Sequence, residues 1–189
     1  MSTVCEVLDP RIRRTRDLLQ QALDNLLETK EFEKISVHDI TERATVNRAT
    51  FYDHYSDKYA LLEAMVGCRF HQLLAQREVQ FDGTCASALR NLVTAVGEYL
   101  TRLQGPSGGR QIEPHMESAI IAVVRRILME GLAKHPPQNG ISAEMVAATA
   151  SWGIYGAAKE WAHTVDRCPP DRMADTVLRL VSPILHLPL

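Results

Sequence analysis

The 189-residue chain sets 21 Lys and Arg against 23 Asp and Glu, a formal charge of −2, and 46% of its residues are apolar. With 10 Gly and 9 Pro besides, this excludes a polybasic tail, an acidic solvating tail, wholesale disorder and collagen-like repetition. The longest uncharged interior run, Met145 to Ala158, holds 14 residues, short of the roughly 20 that a bilayer span needs. The opening MSTVCEVLDPRIRRTR has no apolar core ahead of its charges and so reads as no secretory signal. A soluble, cytoplasmic protein with no membrane partner is expected. Cys5, Cys68, Cys85 and Cys168 are scattered without metal-ligand spacing and are expected as free thiols in a reducing compartment.

Apolar residues recur at spacings of three and four, the mark of amphipathic helices, and strands are nearly absent from the pattern. A first helix is expected from about Pro10 to Lys30, with Asp9 as cap, Pro10 at the first helical position and Leu19, Leu23, Leu26 and Leu27 inward. A short helix over Val37–Ala44 follows Ser36 as N-cap, with Asp39 standing imperfectly for the capping-box glutamate. Asn47 caps another short helix, Arg48–His54, and Ser56-Asp57 caps a long one from Lys58 to about Gln80. Beyond Phe81-Asp82-Gly83, helices are expected over Cys85–Leu103, Glu113–Lys134 and Ser142–Val165, and a last one opens at Pro169-Pro170. Gln104 to Gly109 is the clearest loop. The fold class is all-α, with about nine helices.

Three short elements at the front differ from the rest. The second and third helices, joined by Ala44-Thr45-Val46-Asn47, have the dimensions of a helix-turn-helix. Val37, Ile40, Ala44, Val46, Phe51 and Tyr55 can form a small core with the first helix, leaving His38, Arg48, Ala49, Tyr52, Asp53 and His54 outward. Such a last helix is narrow enough for a major groove about 12 Å wide.

The stretch SVHDITERATVNRATFYDHYSDKYALLEAM closely resembles the N-terminal signature of the TetR (tetracycline repressor) family. Agreement falls at Ile40, Ala44, Val46, Thr50, Phe51, Tyr52, His54, Lys58 and Leu61, while Asn47 replaces a serine cap and Tyr55 a phenylalanine. The resemblance is specific from about Arg13 to Met65. Thr45 stands where the family usually has glycine; a left-handed conformation costs a β-branched residue about 1–2 kcal/mol. Either the turn relaxes or packing absorbs that cost, with a slightly altered helix angle expected rather than loss of the motif.

The resemblance implies a DNA-binding domain over residues 1–58, a fourth helix over 58–80 linking it onward, and a regulatory, ligand-binding and dimerisation domain over 59–189. Tyr52, His54 and Thr50 offer donors to phosphate oxygens, and Lys58 adds a cation and a helix-end amide. Arg48 suits bidentate reading of guanine, Ala49 can touch a thymine methyl, and His38 and Ser36 reach a base or phosphate. Arg11, Arg13, Arg14 and Arg16 offer a basic approach to the backbone or minor groove. Against this, residues 1–58 carry 9 Lys and Arg and 11 Asp and Glu, so the acids must lie mainly off the reading face and salt dependence should be modest.

A homodimer is expected through the last two helices, where Ala147, Ala148, Ala150, Gly153, Gly156, Ala157 and Ala158 permit close approach. Two reading heads would then meet successive major grooves ~34 Å apart on a pseudo-palindromic duplex. The resemblance also implies an effector, expected to be a small apolar or aromatic molecule. Its candidate lining is Phe70, His71, Tyr99, Leu103, His115, Met116, Trp152 and Tyr155. Released repression needs about 1–3 kcal/mol of differential effector affinity between conformers. No catalytic residue, metal site or cofactor is expected. The contrasting readings are a helical adaptor that has lost DNA binding, encouraged by Thr45, and a bundle metalloenzyme. The second rests on a lone Glu160-x-x-His163 where such a site needs two copies.

Overall fold

The computed structural model describes residues 9–77, 79–103, 109–137 and 140–185, the side chains of 102–115 excepted. Among them lie eight α-helices and no strand: α1 (Pro10–Leu27), α2 (Val37–Ala44), α3 (Arg48–His54), α4 (Lys58–Gln76), α5 (Ala86–Leu103), α6 (Gly109–Lys134), α7 (Ala143–His163) and α8 (Pro170–Val181). A 3-10 turn, Phe32–Lys34, precedes α2, so eight helices and one turn stand for the nine expected. Their ends differ from expectation mainly at α4, which stops at Gln76 rather than Gln80, and at α6, which starts four residues before Glu113. The chain divides into two compact units, one of residues 1–69 with 105–119, the other of residues 70–104 with 120–189.

In the first unit, α1 packs on α2 and α2 on α3. Leu19, Ala22 and Leu23 of α1 and Ile40, Ala44, Phe51 and Tyr55 are buried, while Val37 and Val46 are half-buried. Each of α1 to α4 is fixed at its start by a side chain. The Asp9 carboxylate accepts from the Arg11 N–H at 2.8 Å, Asn47 Oδ1 accepts from the Thr50 N–H at 2.7 Å, and Asp57 Oδ1 accepts from the Ala60 N–H at 2.8 Å. At α2 the capping box is complete: Ser36 Oγ accepts from the Asp39 N–H at 3.1 Å, and the Asp39 carboxylate accepts from the Ser36 N–H at 2.8 Å.

In the second unit α5 packs on α7 and α8, and α7 on α8. The link into α5 crosses α6 where both residues are glycine: a Cβ on Gly83, at φ +97°, would sit 2.5 Å from the Gly131 carbonyl oxygen. No larger residue fits either side of that crossing.

Thr45 keeps the left-handed conformation, φ 57° and ψ 42°, so the turn between α2 and α3 does not relax. Its N–H donates to the Glu42 carbonyl at 3.2 Å and that of Val46 to the Thr41 carbonyl at 3.0 Å, the paired bonds of a Schellman helix end. Relief of the left-handed cost, less the freedom glycine adds to the unfolded chain, should make Thr45→Gly stabilising by about 1 kcal/mol. Thermal melting checks it; an unchanged or lowered Tm contradicts the strain.

Candidate nucleic-acid interface

The seven residues of α3 make fewer than two turns, so one side must be buried for the helix to hold. Phe51 fills that side, tilted against Tyr55 with ring centroids 6.0 Å apart. The opposite side faces solvent. Arg48, Ala49 and Asp53 are exposed and Tyr52 is 46% exposed, while His54 and Thr50 are half-buried. His38 and Glu42 extend this face from α2, their Nε2 and Oε2 atoms 4.0 Å apart. Arg48 lies over the Tyr52 ring at 5.6 Å, and its Nη2 donates to the Tyr52 hydroxyl at 3.2 Å. The two long side chains most suited to bases and phosphates are thus paired with each other and open to a ligand.

Other expected contacts are occupied at home. Asn47 Oδ1 also accepts from the Thr50 hydroxyl at 3.0 Å, and the Ser36 hydroxyl donates to Asp39 Oδ2 at 2.7 Å; all three side chains serve caps. Lys58, expected at a phosphate, turns inward and donates to the carbonyls of Phe32, Glu33 and Ile35 at 3.0, 3.1 and 3.0 Å. Of the four arginines leading into α1, Arg11, Arg13 and Arg14 are exposed, whereas Arg16 lies over the buried Tyr55 ring at 5.8 Å.

Several acids of the first 58 residues are engaged in ion pairs, hydrogen bonds or caps, although the pairs with Lys30 and Lys34 spend cations of the same segment. Glu31 meets Lys34 at 3.0 Å and Asp39 meets Lys30 at 3.1 Å. Glu33 accepts from the Tyr59 hydroxyl at 3.2 Å, Asp24 pairs with Arg69, and Asp9 and Asp57 are caps. Glu42 and Asp53 remain on the α2–α3 face.

Residues 19–65 match the family model for bacterial regulatory proteins of the tetR family. The likeness to the tetR family lies in that segment. The HTH-type transcriptional regulator YxbF of Bacillus subtilis is 47% identical over 60 residues, which cover 31% of this chain and 16% of that protein. The chain therefore spans only a small part of that relative's length. Thermus thermophilus FadR, a TetR-family repressor solved with lauroyl-CoA, is 21% identical, with 88% of this chain and 92% of that chain covered and a TM-score of 0.53. RolR, solved with resorcinol, is 17% identical, with 95% and 96% covered and a TM-score of 0.52. These likenesses show the fold.

The described candidate effector residues of the second unit divide between its core and its surface. Phe70 and Tyr99 meet at a tilt in the core of the second unit, centroids 5.2 Å apart, and Tyr155 is buried. Trp152 is 56% exposed and so faces away from that core. Met116 is buried and His71 half-buried; the side chains of Leu103 and His115 lie outside the described residues. A groove of about 530 Å³ does open in the second unit, lined by Glu98, Thr101, Trp161, Arg167, Cys168, Pro169 and Pro170, none of them expected from the sequence. Among the described residues no three His, Cys, Asp or Glu gather as a metal site, and His163 Nδ1 lies 2.8 Å from the Lys159 carbonyl of its own helix.

The Asp39 carboxyl is held well below the usual carboxylate range by the Ser36 hydroxyl, then the Ser36 N–H and Lys30. A lowered folded pKa stabilises above the unfolded value of about 4 and is lost as pH falls toward the folded value. Acid titration of helicity should therefore destabilise the protein below about pH 4, and Asp39→Asn should flatten that limb. An acid limb unchanged by the substitution contradicts the assignment.

Proposed function

We propose that the chain is a DNA-binding transcriptional repressor. It acts as a homodimer on a pseudo-palindromic duplex and is released by a small molecule with an apolar or aromatic body. The outward face of α3 carries this reading: Arg48 and Tyr52 stand exposed on a helix whose other side is locked into the scaffold. Arg48 reads guanine in the major groove, Ala49 meets a thymine methyl, Tyr52 and His54 bind phosphates, Thr50 joins them by exchanging its hydroxyl's bond to Asn47 for a phosphate oxygen, and His38 reaches in from α2. Ser36 and Asn47 hold the helix starts at the same surface. Residues 1–58 form the DNA-binding domain and 59–189 the regulatory one. The intact Schellman turn at Thr45 supports this reading over an adaptor that has lost DNA binding.

Dimerisation is assigned to α7 and α8 on a solvent face that a lone chain would leave largely apolar. Met145, Thr149, Trp152 and Gly156 follow one exposed stripe of α7. Met145 is 63% exposed and Leu180 of α8 66%. Space at Gly156 is open, since a Cβ there would meet nothing within 4 Å, so a partner backbone can approach closely. Ala147, Ala150 and Ala158 instead serve the chain's own core.

Effector release is supported by the lauroyl-CoA and resorcinol bound to FadR and RolR and is placed in residues 70–185. It acts through α4, whose residues belong in part to each unit.

Genomic fragments selected by the protein supply the probe for a gel shift. Tyr52→Ala should lose specific binding with helicity intact, and Arg48→Ala should cost about 1–3 kcal/mol with relaxed specificity at one base pair. A shift unaffected by either contradicts the interface. A reporter behind the selected fragment should rise when the gene is deleted; a fall would mark an activator. Trp152→Glu should convert a dimer to a monomer in analytical ultracentrifugation, and an unchanged dimer contradicts the α7–α8 assignment.

A further inference from the structure

We propose that Lys58 is a positioning residue that holds both ends of the helix-turn-helix at one ammonium, and that it makes no phosphate contact of its own. This rests on the DNA-binding reading and assigns a role within it.

An ammonium has three N–H donors, and at Lys58 each has a carbonyl acceptor, of Phe32, Glu33 and Ile35. The charge also sits over the Phe32 ring at 4.7 Å and the Tyr59 ring at 5.3 Å, with a Glu33 carboxylate oxygen at 3.8 Å and only 15% of the side chain exposed. The three carbonyls belong to the 3-10 turn and its exit, where a short helix carries partial negative charge; that of Phe32 accepts from the Ile35 N–H as well, at 3.0 Å. To reach a phosphate, the ammonium would abandon all of these partners and take a donor from three carbonyls beside the buried Phe32 and Ile35 side chains.

The location gives the contact its consequence. Ile35 immediately precedes Ser36, the cap of α2, and Lys58 opens α4 three residues after Tyr55, the C-cap of α3. The chain enters the reading motif at one side of the ammonium and leaves it at the other. Tyr59 repeats the tie one residue on, its hydroxyl donating to Glu33 Oε2 and its ring meeting Phe32 edge-on at 5.3 Å. The angle at which α3 is presented thus depends on a cation that never touches the duplex.

Lys58→Met and Lys58→Arg separate this from a phosphate contact. Arginine keeps a cation for phosphate, but its planar fork does not fit three convergent carbonyls. By fluorescence anisotropy on a selected fragment, both variants should lose affinity roughly tenfold or more, the size of a lost base contact. Binding to random-sequence DNA should hold, with an unchanged slope of log affinity against log salt. A phosphate contact predicts the reverse: rescue by arginine, equal loss on both DNAs for methionine, and a slope reduced by about 0.9. Wild-type affinity in Lys58→Met also overturns the proposal. Amine-acylation footprinting of the unaltered protein applies even if a variant fails to fold. Lys58 should stay unreactive with and without DNA, while Lys34, 72% exposed, reacts. Reactivity that only DNA suppresses would overturn it. Absence of any specific binding by the unaltered chain would defeat the DNA-binding reading itself, and this proposal with it.

Discussion

A helix as short as α3 has no stability of its own, since isolated helices below roughly 12–15 residues are marginal in water. It exists because its ends and one side are held from outside. The Asn47 carboxamide satisfies the Thr50 amide in the first turn, Thr45 turns the chain through a left-handed step, and Phe51 is buried whole. Everything proposed for the outer side depends on that fixation. Loosened, Arg48 and Tyr52 would be two solvated side chains with no common orientation. Held, they form one surface of fixed spacing.

Thr45 shows how much the surrounding bonds determine. Its conformation is one that a β-branched residue adopts at a cost, yet the Schellman bonds close around it as they do around glycine. Packing of α1 on α2 and α2 on α3 overrides the residue's own preference, and the motif survives an unfavourable choice at its tightest point.

Local chemistry was legible in the sequence. Caps at Asp9, Ser36, Asn47 and Asp57 act over three residues or fewer and can be recognised without knowing the fold. The inward run of Ile40, Ala44, Phe51 and Tyr55 follows helical spacing and phases its own helices. What escaped depends on distance or on an absent phase. The 3-10 turn at Phe32–Lys34 is held by Lys58, which lies far along the chain, and nothing in its own composition announces it. From Met145 to Ala158 α7 is apolar or small on every side, so periodicity offered no means of telling that Tyr155 points in and Trp152 out. The acidic excess of the first 58 residues likewise reads as adverse to DNA, and composition does not show that several of those carboxylates serve a cap or pair with a cation.

The claim beneath all of this is that the solvent side of α3 lies against bases in the duplex. A photo-crosslinking side chain at the exposed Ala49 tests it most directly, because that position supports no packing in the scaffold. Irradiation with a selected genomic fragment should join Ala49 to bases in two half-sites about one helical turn apart, while the same group at Leu180 joins to none. Crosslinks absent from Ala49 in a complex that otherwise forms, or arising from Leu180 instead, would contradict the account.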